Sequence, residues 1–173
     1  MEEIVQTNNS YTYMIMMEDI RQLKERYPIL KTGNIGYSVL GKPIPYIRVG
    51  TGEKEVLYSA SFHANEWITT PILMKFIADY CYAYQNNLNI FGFSANQVYN
   101  STSIYIMPMV NPDGVDLVTG AILPNSETYL FAKNIASEFP AISFPNGWKA
   151  NIRGVDLNLQ FPAGWEQARE IKY

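Results

Sequence analysis

The chain has 173 residues, 47% of them hydrophobic and 17% charged, a balance that excludes overall disorder and suits one globular domain with a sizeable core. Thirteen Lys and Arg against sixteen Asp and Glu leave a formal charge of -3, too even to form the basic face that nucleic acid requires. No apolar run is long enough to cross a bilayer, so no membrane partner is expected.

The leading residues carry Glu2 and Glu3 and lack the basic start and apolar centre of a secretion signal, so a cytoplasmic location is expected. Met16, Ile20, Leu23 and Tyr27 recur at helical spacing and Pro28 follows, which predicts a helix from about 16 to 27. Ile35 to Leu40 and Ile44 to Val49 flank Gly41-Lys42-Pro43, the signature of a hairpin. Val56 to Phe62 reads as a buried strand. Pro71 suits a first helical position, and Ile72 to Tyr84 is apolar enough for a core helix. The Asn-rich stretch 85–100 reads as a surface excursion. Ser103 to Val110 predicts a second buried strand, ended by the turn Asn111-Pro112-Asp113-Gly114, and Glu127 to Phe139 predicts another helix before Pro140. Strands alternating with helices predict an α/β fold, and the early hairpin makes its sheet mixed.

Cys81 is the only cysteine, so it can form neither a disulfide within the chain nor a paired-cysteine metal knuckle, and it is expected as a buried thiol. The chemistry gathers where the strand Val56 to Phe62 gives way to His63-Ala64-Asn65-Glu66-Trp67, the kind of strand end at which α/β sheets place their sites. His63 offers an imidazole nitrogen and Glu66 a carboxylate, and two intervening residues let both converge on one zinc ion. The pair alone is a spacing that chance supplies often. By itself it reads as a structural histidine beside a solvated glutamate.

Three further stretches change that reading: Ile35 to Ile44 (Ile-Gly-Tyr-Ser-Val-Leu-Gly-Lys-Pro-Ile), Pro108 to Gly114 (Pro-Met-Val-Asn-Pro-Asp-Gly) and Trp148 to Asn158 (Trp-Lys-Ala-Asn-Ile-Arg-Gly-Val-Asp-Leu-Asn). With His63 to Trp67, in this order, they make the chain from Tyr27 to Pro162 resemble the M14 zinc carboxypeptidases. The resemblance implies an α/β fold with a mixed β-sheet between helical layers, and a zinc ion held by His63, Glu66 and a second histidine. It also implies that Arg153 stabilises the oxyanion of amide hydrolysis. Asp156 is implied to accept from the other ring nitrogen of His63, and Asn158 to contact substrate.

Two departures qualify the resemblance. His63 is the only histidine, so the third ligand is missing from these residues, as are the family's general-base glutamate and substrate-capping tyrosine. Residues 1–173 therefore read as the amino-terminal part of a single zinc peptidase domain, cut in mid-domain after Glu170-Ile171-Lys172-Tyr173 and inactive alone. An open sheet edge is expected from such a cut, favouring self-association or a complementing chain. The second departure is Leu159, where most family members follow the matching Asn158 with an arginine that grips a peptide's terminal carboxylate. A leucine cannot form those paired charge-assisted bonds. Val155 to Glu166 is most similar to bacterial γ-D-glutamyl-L-diamino acid endopeptidases, which implies a peptidoglycan stem peptide as substrate. The competing expectation is a binding or assembly module that keeps the cleft and has lost the reaction.

Overall fold

In the computed structural model, which describes residues 4–172, the helix predicted from residue 16 starts earlier. Helix α1 spans Tyr13–Arg26 because Thr12 caps it, its hydroxyl accepting from the Ile15 amide at 3.4 Å. Glu2, Glu3 and Tyr173 lie outside the described residues. The hairpin pairs β1 (Lys31–Tyr37) with β2 (Pro43–Val49), antiparallel. Ser38 to Leu40, expected in the first strand, form the turn instead: the Ser38 amide donates to the Lys42 carbonyl at 2.9 Å, and Gly41 takes a φ of 79°, readily adopted only without a Cβ.

Strand β3 (Lys54–Ser59) stops short of Phe62, because Ser61 turns the chain at a φ of 51°, and as the outer strand of its sheet it is largely exposed, not buried as expected, with Leu57 60% exposed. Helix α2 (Thr69–Gln85) holds Pro71 as its third residue, not its first. That position still lies in the first turn, where no intrahelical bond needs the missing N–H. The stretch 85–100 is more ordered than its polarity suggests. It contains a small hairpin of β4 (Asn89–Ile90) and β5 (Phe93–Ser94), then helix α3 (Ala95–Ser101), capped by Ser94. Strand β6 (Thr102–Met107) follows. Asn111 then caps α4 (Pro112–Val118), so the expected turn is a helix start. Helices α5 (Glu127–Ala136) and α6 (Trp165–Lys172) complete the described elements.

The main sheet runs β1-β2-β6-β3, with β2 antiparallel to β6 and β3 parallel to it. It is the mixed sheet expected. Alternation along β2 and β6 sends Ile47, Val49, Ile104 and Ile106 to one face, where they share a core with Met16 and Leu23 of α1 and Met74 and Ile77 of α2. Cys81 is fully buried in that core and burial pushes its thiol up to about 12, so it stays protonated and inert. A second cluster of Ala64, Leu117, Ala132, Trp148 and Ile152 lies beneath the region of His63. No helix among the described residues is long and apolar enough to cross a membrane.

Candidate metal centre

Ser61 sets up the turn that carries His63 and Glu66. A positive φ at a serine is a strained conformation that surrounding bonds must enforce. Here the Ser61 amide donates to the Thr69 hydroxyl at 3.0 Å, its own hydroxyl lies 2.7 Å from that of Thr70, and its carbonyl accepts from the Asn111 amide at 3.0 Å. The chain then enters a single 3₁₀ turn, Ala64–Glu66, with His63 as its N-cap. With three residues per turn, side chains at i and i+3 stand on the same side. His63 and Glu66 are such a pair, and their Nδ1 and Oε1 atoms are 3.1 Å apart.

Two of the other stretches close around this turn. The Ala64 amide donates to the Lys149 carbonyl at 3.1 Å and the Asn65 amide to the Trp148 carbonyl at 3.0 Å. Asn111, 2% exposed, donates from its side-chain amide to Phe62 O at 3.2 Å and Ala150 O at 3.0 Å while accepting from the Gly114 amide at 3.1 Å. Asn111 thereby ties α4, the end of the β3 segment and the 148–150 loop to one another. Gly114 has no space for a side chain, since a Cβ there meets the Asn111 amide nitrogen at 2.6 Å and both Ala150 O and the Ala64 methyl at 2.8 Å. The hairpin turn is attached to the same helix: Lys42 Nζ lies 2.7 Å from Asp116 and 3.3 Å from Asp113, and Asp113 accepts from the Leu40 amide at 2.9 Å.

The last stretch supplies Asp156, whose Oδ1 faces His63 Nε2 at 3.3 Å and accepts from the Asn158 amide at 2.9 Å. His63 thus lies between two carboxylates, one at each ring nitrogen. In the tautomer with its proton on Nε2, the ring points that proton at Asp156 and presents the Nδ1 lone pair beside Glu66. Two ligand atoms of a tetrahedral zinc at about 2.0–2.1 Å stand about 3.3 Å apart, close to the 3.1 Å between Nδ1 and Oε1. These residues therefore fit a zinc ion as two of its ligands. They do not complete a site, for among the described residues no group of three or more His, Cys, Asp or Glu is placed to hold a metal.

Arg153 occupies a tight turn organised by Asn151, whose side chain accepts from the amides of Arg153 at 2.9 Å and Val155 at 3.1 Å. Among the described residues, its exposed guanidinium makes no hydrogen bond or ion pair. Asn158 and Leu159 belong to the short 3₁₀ turn Leu157–Leu159 capped by Asp156. Neither Arg153 nor Asn158 is joined to His63 or Glu66 by a side-chain bond among the described residues. Leu159 instead lines an apolar cavity of about 320 Å³ with Ile135, Phe139, Ile142 and Phe144, and Asp156 is at its wall. The positioning roles of Asn111 and Gly114 were missed because Asn-Pro-Asp-Gly also reads as an ordinary turn. Pro at a first helical position with Asn before it was the available signal.

The sequence profile of the zinc carboxypeptidase family matches residues 16–172. Gamma-D-glutamyl-L-diamino acid endopeptidase 1 of Lysinibacillus sphaericus is 50% identical over 163 residues, covering 94% of this chain and 40% of its own length. The Bacillus subtilis protein YqgT is 42% identical over 167 residues, covering 94% of this chain and 43% of its own. Bovine thrombin-activatable fibrinolysis inhibitor, solved with tick carboxypeptidase inhibitor, shares the fold at a TM-score of 0.57 and 20% identity, over 84% of this chain and 38% of that one. The chain thus spans about two fifths of the length of the relatives it matches.

Proposed function

The chain belongs to the zinc carboxypeptidase family, and from that premise we propose that residues 1–173 are the amino-terminal part of a single zinc peptidase domain that, when complete, hydrolyses amide bonds. The observation that carries this is the placing of the His63 ring between Glu66 at Nδ1 and Asp156 at Nε2. His63 and Glu66 would hold the zinc, with the remaining protein ligand coming from outside this chain. Bound there, zinc supplies a Lewis acid that polarises the scissile carbonyl and acidifies a water. Asp156 fixes the orientation and tautomer of His63. Arg153 offers a guanidinium, unengaged by the described residues, to the oxyanion that develops on the carbonyl, where a fixed cation favours the transition state over the ground state. The rival reading, a binding module without chemistry, gains no support from these relatives.

For the substrate, we propose a γ-D-glutamyl bond to a diamino acid in a peptidoglycan stem peptide. The 50% identity to a gamma-D-glutamyl-L-diamino acid endopeptidase of Lysinibacillus sphaericus supports this, and so does Leu159. A leucine beside an apolar cavity cannot pair with a terminal carboxylate, which suits a substrate that continues past the cut. Asn158 remains as a neutral polar contact for that substrate. The test uses the protein extended to the length of its relatives. Wild type should cleave the γ-D-glutamyl substrate with a higher kcat/KM than simple peptides with free carboxyl ends. Leu159→Arg should move the ratio toward free carboxylates by about 10- to 100-fold, the range for hydrogen bonds to charged groups. Efficient trimming of simple peptides by wild type would overturn the substrate reading and leave the metal reading in place.

A further inference from the structure

Residues 4–12 lie against α1 before the chain enters it. The segment is fixed in place, since Val5 and Tyr11 are each 1% exposed and the Tyr13 amide that follows donates to Asp116 Oδ1 of α4 at 2.8 Å. Between segment and helix is a cavity of about 360 Å³, a size that suits a small ligand. Ile15, Asp19 and Gln22 line it from α1, at i, i+4 and i+7 and therefore on one stripe of the helix. Ile4, Asn9 and Tyr11 line it from the segment.

The polar atoms around this cavity are weighted toward acceptors. Tyr11 donates its hydroxyl to Asp19 Oδ2, which leaves Oδ1 without a hydrogen bond among the described residues, on a residue only 5% exposed. The Gln22 side-chain nitrogen donates to Glu18 at 2.9 Å and the Asn9 side-chain nitrogen to Asn8 at 3.3 Å. The amide oxygens of Gln22 and Asn9 make no hydrogen bond among the described residues. One carboxyl oxygen and two amide oxygens thus border a common space. Burial raises the Asp19 carboxyl above its ordinary range, the state of an acid with no cation beside it.

We infer that this cavity is a binding site for a primary ammonium group carried on an aliphatic stem. Such a group has three N–H donors and no acceptor, which matches the three oxygens, and its bond to Asp19 is charge-assisted. The stem would lie on Ile4 and Ile15. A neutral polyol fits less well, because its hydroxyls accept as well as donate and the amide N–H groups of Asn9 and Gln22 are engaged. Gln6 and Ser10, which also border the cavity, can serve either way. An anion would meet the Asp19 carboxylate. Arg26 borders the cavity seven residues beyond Asp19, about 10.5 Å along the helix axis, so a second cation at the far end of the ligand is disfavoured and a monoamine is preferred.

The inference rests on neither the metal reading nor the substrate reading, and its test uses no metal and no activity. The probe is Nα-acetyl-lysine amide, whose sole charge is the side-chain ammonium, added to this chain while amide NMR spectra are recorded. Saturable shifts are expected at the amides of Asn9, Asp19 and Gln22, with those of His63 and Glu66 unmoved. The uncharged analogue Nα-acetyl-norleucine amide should give none. Asp19→Asn, which keeps an acceptor for Tyr11, should weaken binding by about 10- to 100-fold, the range for hydrogen bonds to charged groups. Gln22→Leu keeps a good helix former and should weaken it by a smaller factor. Tighter binding of the lysine probe than of n-butylamine would assign the ligand to a peptide-borne side chain and the reverse to a free amine, and both support the inference. Equal shifts from the norleucine analogue would overturn it by making the site merely apolar. Binding of N-acetylglucosamine in place of the amine would overturn it in favour of a neutral polyol, and so would the absence of shifts up to the solubility limit of the lysine probe, with no ligand assigned.

Discussion

Asp19 is 5% exposed on α1 and accepts a hydrogen bond from the Tyr11 hydroxyl, yet its carboxyl titrates above the usual range because burial outweighs that bond. A raised carboxyl pKa favours the neutral form in the folded state. Its stabilising contribution is therefore complete in acid and is lost as pH rises through the folded value. Asp19→Asn keeps an acceptor for Tyr11 and removes the ionisation, so its melting temperature should exceed that of wild type at pH 7 and the gap should close near about pH 3. A gap that does not vary with pH would contradict this. His63, Glu66 and Asp156 were legible at this same scale because each is a chemically distinctive residue at a family-like spacing. Asn111 was not, since a side chain that bonds three separate backbone segments is visible only once the chain has brought those segments together.

Helix α4 shows how an element, more than any one side chain, holds the site. Its first turn packs under the His63 turn, with the Asn111 side chain capping it and Gly114 in van der Waals proximity to Ala64. Gly114→Ala should lower stability by roughly 1–3 kcal/mol through overpacking, with backbone at Ala150 unable to yield as a flexible side chain would. Urea unfolding of the two proteins measures it, and equal midpoints would show that the loop gives way freely. Among the elements, the long α2 and the hairpin were legible because apolar periodicity and a Gly-Lys-Pro turn are strong local signals. The small β4–β5 hairpin and α3 were hidden by their asparagines. Their order comes from Ser94 capping α3 and from Ala95 buried in the core, one polar residue and one small one.

At the scale of the molecule, one histidine and a turn that brings together two donors set a limit on metal affinity. After dialysis this chain should retain well under one zinc per molecule, because catalytic zinc sites use three protein ligands. Elemental analysis decides it, and stoichiometric zinc that resists a chelator would show that a third donor is recruited. The α/β class was readable from strands alternating with helices and the mixed sheet from the early hairpin, whereas the strand order came only with the structure. Which face of the sheet is covered was not readable, because alternation along β2 and β6 says that two faces differ without saying what lies against either one.

The two backbone bonds that join Ala64 and Asn65 to Lys149 and Trp148 also bear on the order in which the molecule assembles. They close a loop of roughly eighty residues, which costs about 4 kcal/mol of chain entropy if made from the unfolded coil. Parallel pairing of β3 with β6 and the seating of α4 beside Ala64 would shorten that loop if they form first. The histidine turn is then set late on the folding path, so substitutions at 148–150 should hasten unfolding while leaving the folding rate nearly untouched.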